Sequence, residues 1–317
     1  MTDHTVVVPI DLDRDRADRI VAVTLDVSRS VARAVIDAGD ACVDGSPVQP
    51  SDKLSSGTRL DVHMPEVDVR LEPDAEVPFE TVHADDALLI VDKPIGVVVH
   101  PTSPRSTGTL VHGLIAQYPE IRGVGQEGRW GIVHRLDRDT SGLLVVARTH
   151  DAYAALSEMI RQRQVDRRYL SLVDGSLDST NGTIDAPIGR DSRNSTRMRV
   201  ERGGRSAITH YRRLAIWDKE SVSLASVSLE TGRTHQIRVH MRAIDHPIIG
   251  DRAYGKAGTK ADPGRPWLHA RQLAFAHPES GKAIDVTSPL PNDLVDSLDS
   301  LGDPDHGELT DVGGGMI

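Results

Sequence analysis

One cysteine, Cys42, is present in 317 residues, so no intramolecular disulfide and no cysteine-based zinc cluster can form. Aromatic residues make up only 3% of the chain. Valine, leucine and isoleucine must therefore fill the interior. No apolar run approaches the ~18 residues that a membrane-crossing helix needs, and no early stretch has the form of a signal peptide. The chain is accordingly expected to be soluble and cytoplasmic, in a reducing compartment. An excess of positive charge is also missing, since the formal net charge is -10. A nucleic-acid partner normally requires a basic face.

The distribution of charge matters more than its sum. Residues 1–75 carry 15 acids against 8 bases, and residues 291–317 carry seven acids and no lysine or arginine. Residues 190–213 hold eight arginines and two acids. The acidity is largely terminal and the arginine is central, so a basic cleft fits inside an acidic protein. Length permits two domains. Residues 65–80, acidic and punctuated by Pro65, Pro73 and Pro78, read as a linker. The boundary is placed near 76, giving a small domain over 14–75, a larger one over 76–297 and a disordered acidic tail over 298–317.

The pattern in the first domain predicts a short helix after Ser28, with apolar Val31, Ala32, Val35 and Ile36 on one face. Val6 to Ile10 suits an edge strand or a disordered lead. In the second domain, Leu88–Val91 and Val97–Val99 read as strands flanking an Asp-Lys-Pro-Ile-Gly turn. Helices are expected over Thr109–Tyr118 and Asp151–Ile160. Tyr169–Val173 alternates as a half-buried strand. A strand pair is expected over 207–214 with 222–229.

The most informative stretch is Gly131-Ile-Val-His-Arg-Leu-Asp137-Arg-Asp-Thr-Ser-Gly142, followed by the apolar run Leu143–Ala147. The run reads as a buried strand, and the polar segment as a loop at its mouth. A loop on so rigid a base can present a carboxylate to a ligand. Spacing alone is equally compatible with a solvated, salt-bridged loop.

HRLDRDTSGLLVVA resembles the catalytic motif of the pseudouridine synthases that act on large-subunit ribosomal RNA and on tRNA. VDKPIGVVVHP and LETGRTHQIRVH resemble two further motifs of that family, and the likeness covers residues 82–292. It implies an α+β fold with a mixed, mainly antiparallel sheet and a central RNA cleft. It also implies isomerisation of uridine to pseudouridine without cofactor or metal. His235 and His240 lack the i, i+4 spacing of a helical metal pair. On the family's pattern Asp137 is the nucleophile, Arg238 its arginine partner by bidentate contact, and Tyr169 the residue stacked on the base. Attack on the sugar, attack on the base and removal of a sugar proton all remain open for Asp137.

The target base must be flipped out of folded RNA. Arg135 is placed to fill the vacated space or clamp a phosphate, and His134 to stack beside it. Arg138, Arg233, His235 and Gln236 fall in the same motifs as expected RNA-binding or site-neighbouring residues. Lys93 reads equally as a phosphate contact or a solvated turn lysine. Residues 14–62 resemble the small S4-type RNA-binding domain, in which Arg29, Arg33 and Lys53 would contact phosphates. Asp40 and Asp44 make this copy more acidic than is usual. The expected partner is structured RNA, most naturally ribosomal RNA, bound by a monomer. tRNA is the alternative substrate, and a non-catalytic RNA-binding or assembly protein is the rival of another class.

Overall fold

The computed structural model describes residues 2–25, 27, 29–64, 71–101, 107–191, 194, 196–255 and 261–309. The chain divides into two compact units, Met1–Arg70 and Leu71–Ile317. In the first, Thr2–Val7 is the edge strand of a four-stranded sheet, paired with Arg59–Met64, which in turn pairs with Ala41–Val43. Two helices, Ala17–Thr24 and Arg29–Asp37, cover it. Ile20, Val21, Ala32, Val35, Ile36, Leu60 and Val62 form a common core. The expected helix is present because its apolar residues recur at i, i+3 and i+4 and meet that sheet.

The second unit is built on a ten-stranded sheet. Its main path runs Asn181–Asp185, Ile208–Trp217, Val222–Leu229, Asp166–Asp174, Leu268–Ala276, Ser141–Ala147, Leu88–Lys93, Glu80–Ala84. Every neighbouring pair on that path is antiparallel except Leu268–Ala276 with Ser141–Ala147. The sheet is thus mixed and mainly antiparallel, as the resemblance implies. Leu88–Val91 and Leu143–Ala147 are buried on both faces. That is why they read as continuous apolar runs rather than alternating ones. Each large side chain so placed contributes about 1.5–3 kcal/mol. The helix His150–Arg161 packs Ala152 and Leu156 onto Leu88, Ile90, Leu143 and Val145. Thr149 caps it by accepting from Ala152 N.

Four expectations need correction. Tyr169–Val173 is not half-buried: it lies inside the strand Asp166–Asp174, central in the sheet and covered on both faces. Val97–Val99 is not a strand. The Val98 and Val99 carbonyls instead accept from Leu110 N and Val111 N, the first amides of the helix Leu110–Gln117. Those amides have no partner within their own helix. Residues 71–80 do not behave as a linker, because Leu71 and Val77 are buried and Asp74 N bonds His112 O. The rest of that stretch, 65–70, lies outside the described residues. The tail expected from 298 is ordered to 309: Leu298 and Leu301 are buried, and His306–Gly307 pairs with Ile208–Trp217. Trp217 Nε1 donates to Gly302 O at 2.9 Å. Residues 310–317 lie outside the described set.

Candidate active site

The Asp137 loop is held at both ends by glycines that no other residue replaces without strain. Gly131 (φ 73°) and Gly142 (φ 112°) are in the left-handed half of backbone space. A Cβ on Gly142 would meet Ala270 O at 2.3 Å, and one on Gly131 would meet Ala147 O at 2.5 Å. These close approaches let the loop leave and rejoin the sheet at Ser141–Ala147. Between them, Thr140 N bonds Asp137 O, and Leu136 is buried. The Arg138 carbonyl accepts from Gly96 N at 2.9 Å and from Lys93 Nζ at 3.2 Å.

Asp137 faces the helix Gln236–Ala243, where Arg238 occupies the first turn. Arg238 Nη1 donates to Asp137 Oδ2 at 3.1 Å. Its Nε and Nη2 donate to the two oxygens of Asp251 at 2.7 and 2.9 Å. The expected bidentate contact therefore goes to Asp251, and Asp137 receives a single bond. Asp251 is fully buried and also accepts from Ala253 N and Tyr254 N. Burial alone would raise the Asp251 carboxyl, but the Arg238 and amide hydrogen bonds carry it below the usual range. Burial opposes the charge on Arg238 as well, and Asp251 and Asp137 together push its pKa further up.

His235 sits just before that helix in the left-handed region, φ 57°, a conformation that costs a residue with a Cβ about 1–2 kcal/mol. Its Nδ1 lies 2.8 Å from the Tyr254 hydroxyl, which accepts from Met198 N at 2.8 Å. The Tyr254 proton is then free to point at Nδ1, leaving the His235 Nε2–H directed toward Asp137, 4.0 Å away. Arg238 also lies over the Tyr254 ring, 5.1 Å from its centroid. Asp251 and Tyr254 carry much of this geometry. Neither stands in a motif read from sequence; both fall in the short segment between Gly250 and Gly255.

The cleft above Asp137 has a volume of about 630 Å³, within the usual range of ligand sites. Seven arginines and two acidic residues are among its walls. The net-acidic chain therefore encloses a basic site, although none of these arginines comes from the arginine-rich stretch 190–213. Tyr169 lines the cleft and is buried. Burial raises its pKa, with Arg167 opposing and Asp137 adding to the shift, so the hydroxyl holds its proton at neutral pH.

Asp137, Tyr169, Arg238, His134, Arg135, Arg233, His235 and Gln236 all line this one cleft. Their roles differ from expectation in several cases. Lys93 is neither a phosphate contact nor solvated. It is fully buried and donates to Pro94 O, Val97 O and Arg138 O, and burial lowers its pKa to about 7. Gln236 is buried and used up by Thr231, Arg233 N, Ile208 O and Thr209. His134 Nε2 accepts from Val145 N at 3.0 Å instead of stacking free, and burial lowers its pKa to about 3. Arg138 is exposed, paired with Asp139 and outside the cleft wall. Arg135 is exposed, and Arg233 donates to Ser206 O. In the first unit Arg33 is exposed beside Asp37 at 3.4 Å, and Lys53 is exposed. The Arg29 side chain lies outside the described residues.

Comparison with known proteins gives a consistent result. The family profile described as RNA pseudouridylate synthase matches residues 87–243. An uncharacterized RNA pseudouridine synthase of Mycobacterium bovis is 41% identical over 307 residues, 95% of this chain and 99% of that one. The ribosomal large subunit pseudouridine synthase D of Neisseria meningitidis serogroup B is 40% identical over 308 residues, 93% of this chain and 80% of that one. Among solved structures, human RNA pseudouridylate synthase domain containing 1 matches with a TM-score of 0.55 at 29% identity, covering 69% of this chain and 86% of its own.

Proposed function

The chain belongs to the RNA pseudouridine synthase family and isomerises uridine in RNA; from that premise we propose that its substrate is large-subunit ribosomal RNA and that Asp137 is its nucleophile. The observation that carries the nucleophile is the Arg238–Asp137 contact at 3.1 Å on the floor of the arginine-lined cleft. Support for the substrate comes from relatives 40% identical that bear the name ribosomal large subunit pseudouridine synthase D.

The reaction breaks the bond from uracil N1 to the sugar, turns the base, joins C5 to the same carbon, removes the C5 proton and leaves a proton on N1. It is redox-neutral and consumes no water overall. A carboxylate can act on such a substrate as nucleophile without a cofactor. Arg238 fixes the position of Asp137, Tyr169 supplies a face for the flipped uracil, and its protonated hydroxyl is a donor within the cleft. Asp137→Asn is expected to bind RNA normally and to lower single-turnover conversion by at least about 10³-fold. Pseudouridine mapping of cells lacking the protein should reveal uridines left unmodified in large-subunit RNA. Unmodified positions in tRNA alone would move the substrate assignment there, and wild-type conversion by the Asn variant would remove Asp137 from its role.

The Met1–Arg70 unit is proposed as an RNA anchor of S4 type, with Arg29, Arg33 and Lys53 contacting phosphates. Replacing all three with Gln should weaken RNA binding and reduce its salt dependence while leaving the saturated rate unchanged. Equal affinity and equal salt slope would refute the anchor.

A further inference from the structure

Three arginines in the second unit are largely or wholly withdrawn from water. Arg265 is buried and is answered by Asp293 through Nε at 2.5 Å and Nη2 at 3.0 Å. Arg238, with 12% of its side chain exposed, is answered by Asp251 and Asp137. Arg167 is 4% exposed, yet no carboxylate among the described residues forms an ion pair with it. Among the described residues its one side-chain hydrogen bond is from Nη2 to Leu229 O at 3.3 Å, and its Nε has no partner. Taking a cation out of water without an opposite charge is costly. A position that carries one is matched to a negative charge that arrives from outside.

Arg167 is also aimed at the place where an anion would arrive. It lies in the wall of the Asp137 cleft. It is two residues from Tyr169 on the same strand, so both side chains leave the same face. Their separation along the strand is about 6.6 Å, comparable to the span from a uracil ring to the phosphate of its own nucleotide. Close by, His134 Nδ1 is likewise unpartnered. Because Nε2 accepts from Val145 N, Nδ1 must carry the ring proton, and it is a second donor without an acceptor. Arg167's charge adds to burial in keeping that imidazole neutral. Both nitrogens are shielded from bulk water; Arg167 Nη1 is not enclosed and makes no hydrogen bond among the described residues, so it is the donor left for a group seated in the cleft.

We propose that Arg167 is the phosphate-positioning residue of the cleft, binding the phosphodiester of the uridine that Tyr169 stacks and Asp137 attacks. Arg167 thereby fixes how deeply the nucleotide enters and holds C1′ against Asp137. This rests on the RNA reading above but not on which RNA is modified.

The test compares uridine, 3′-uridylate and 5′-uridylate as ligands of the full chain, by chemical-shift titration at low salt. Wild type is expected to bind one uridylate at least tenfold more tightly than uridine. Arg167→Gln should erase that preference while still binding uridine, and Arg167→Lys should keep part of it. Asp137→Asn should keep all of it. If the Gln variant fails to fold, Gly232→Ala serves instead, since its new methyl would sit 3.2 Å from Arg167 Nη1 and should narrow the preference. In single turnover on a large-subunit ribosomal RNA transcript, Arg167→Gln should raise the half-saturating enzyme concentration about tenfold, lower the salt slope by about one phosphate, and lower the saturated rate about tenfold as well, because C1′ is no longer held against Asp137. No uridylate preference in wild type, or an undiminished preference in Arg167→Gln, would overturn the proposal. Failure of wild type to convert the transcript would count against the substrate assignment alone, with the mononucleotide result standing.

Discussion

Two buried cations hold the Asp137 loop, and they do it by opposite means. On one side Arg238 is bonded to two carboxylates, and its charge is reinforced. On the other, Lys93 meets only three carbonyl oxygens, and burial lowers its pKa to about 7. Arg238 touches the Asp137 carboxylate itself. Lys93 touches the backbone one residue further on. The cation beside the proposed nucleophile is compensated by carboxylates and fixed, whereas the cation behind the loop serves as a hydrogen-bond donor whose charge is a burden. The difference shows that burial and sign do not define a role; the partners do.

The largest effects should come from breaking the compensated side. Arg238→Met is expected to lower the single-turnover rate about 10³-fold, the loss typical of removing one preorganised donor from a site of developing charge. Asp251→Asn leaves Arg238 in place but frees its fork, so a loss nearer 10²-fold is expected through misplacement of Asp137. It should also destabilise the fold by about 3–5 kcal/mol, because a buried cation loses its main partner. The double variant should recover stability relative to either single one without recovering activity. Thermal melts beside single-turnover rates separate the two readouts. A fully active Asp251→Asn protein would show that the clamp does not position Asp137.

The contrast also explains what could be read from the sequence. Asp137 and Arg238 were legible as cleft residues because each falls in a contiguous motif, although they are 101 positions apart, and Tyr169 because the family resemblance marks it. The strands Leu88–Lys93 and Ser141–Ala147 were legible because two-sided burial leaves an unbroken apolar run. Asp251 and Tyr254 were not, since a turn-rich loop looks the same whether or not the fold buries its carboxylate. Lys93 was misread for a related reason: a lysine in an Asp-Lys-Pro turn reads as solvated until three carbonyls converge on it. Val97–Val99 has strand composition, but the neighbouring helix N-terminus claims its carbonyls. The segment 298–309 has disordered composition, and a few apolar side chains with the Trp217 bond to Gly302 O dock it nonetheless.

The smallest effect should come from the uncompensated side, and it is read by pH. Lys93 has a folded-state pKa lowered from 10.5 to about 7. Between those values the unfolded chain holds a proton on this lysine that the folded chain lacks. Stability contributed by this group therefore rises as pH increases from about 7 toward 10.5, and is least below 7 where the buried amine must carry its charge. Lys93→Met removes the titration together with the three donor bonds. The difference in unfolding free energy between wild type and Lys93→Met should accordingly move in favour of wild type across that window, while the other titrating groups cancel in the subtraction. Activity should fall only modestly, about tenfold or less, because Gly96 N still holds the Arg138 carbonyl. Denaturant melts at pH 6, 8 and 10 provide the check. A pH-independent difference would mean that Lys93 keeps its proton throughout, which would make its three carbonyls as effective as the carboxylates around Arg238 and erase the distinction between the two sides.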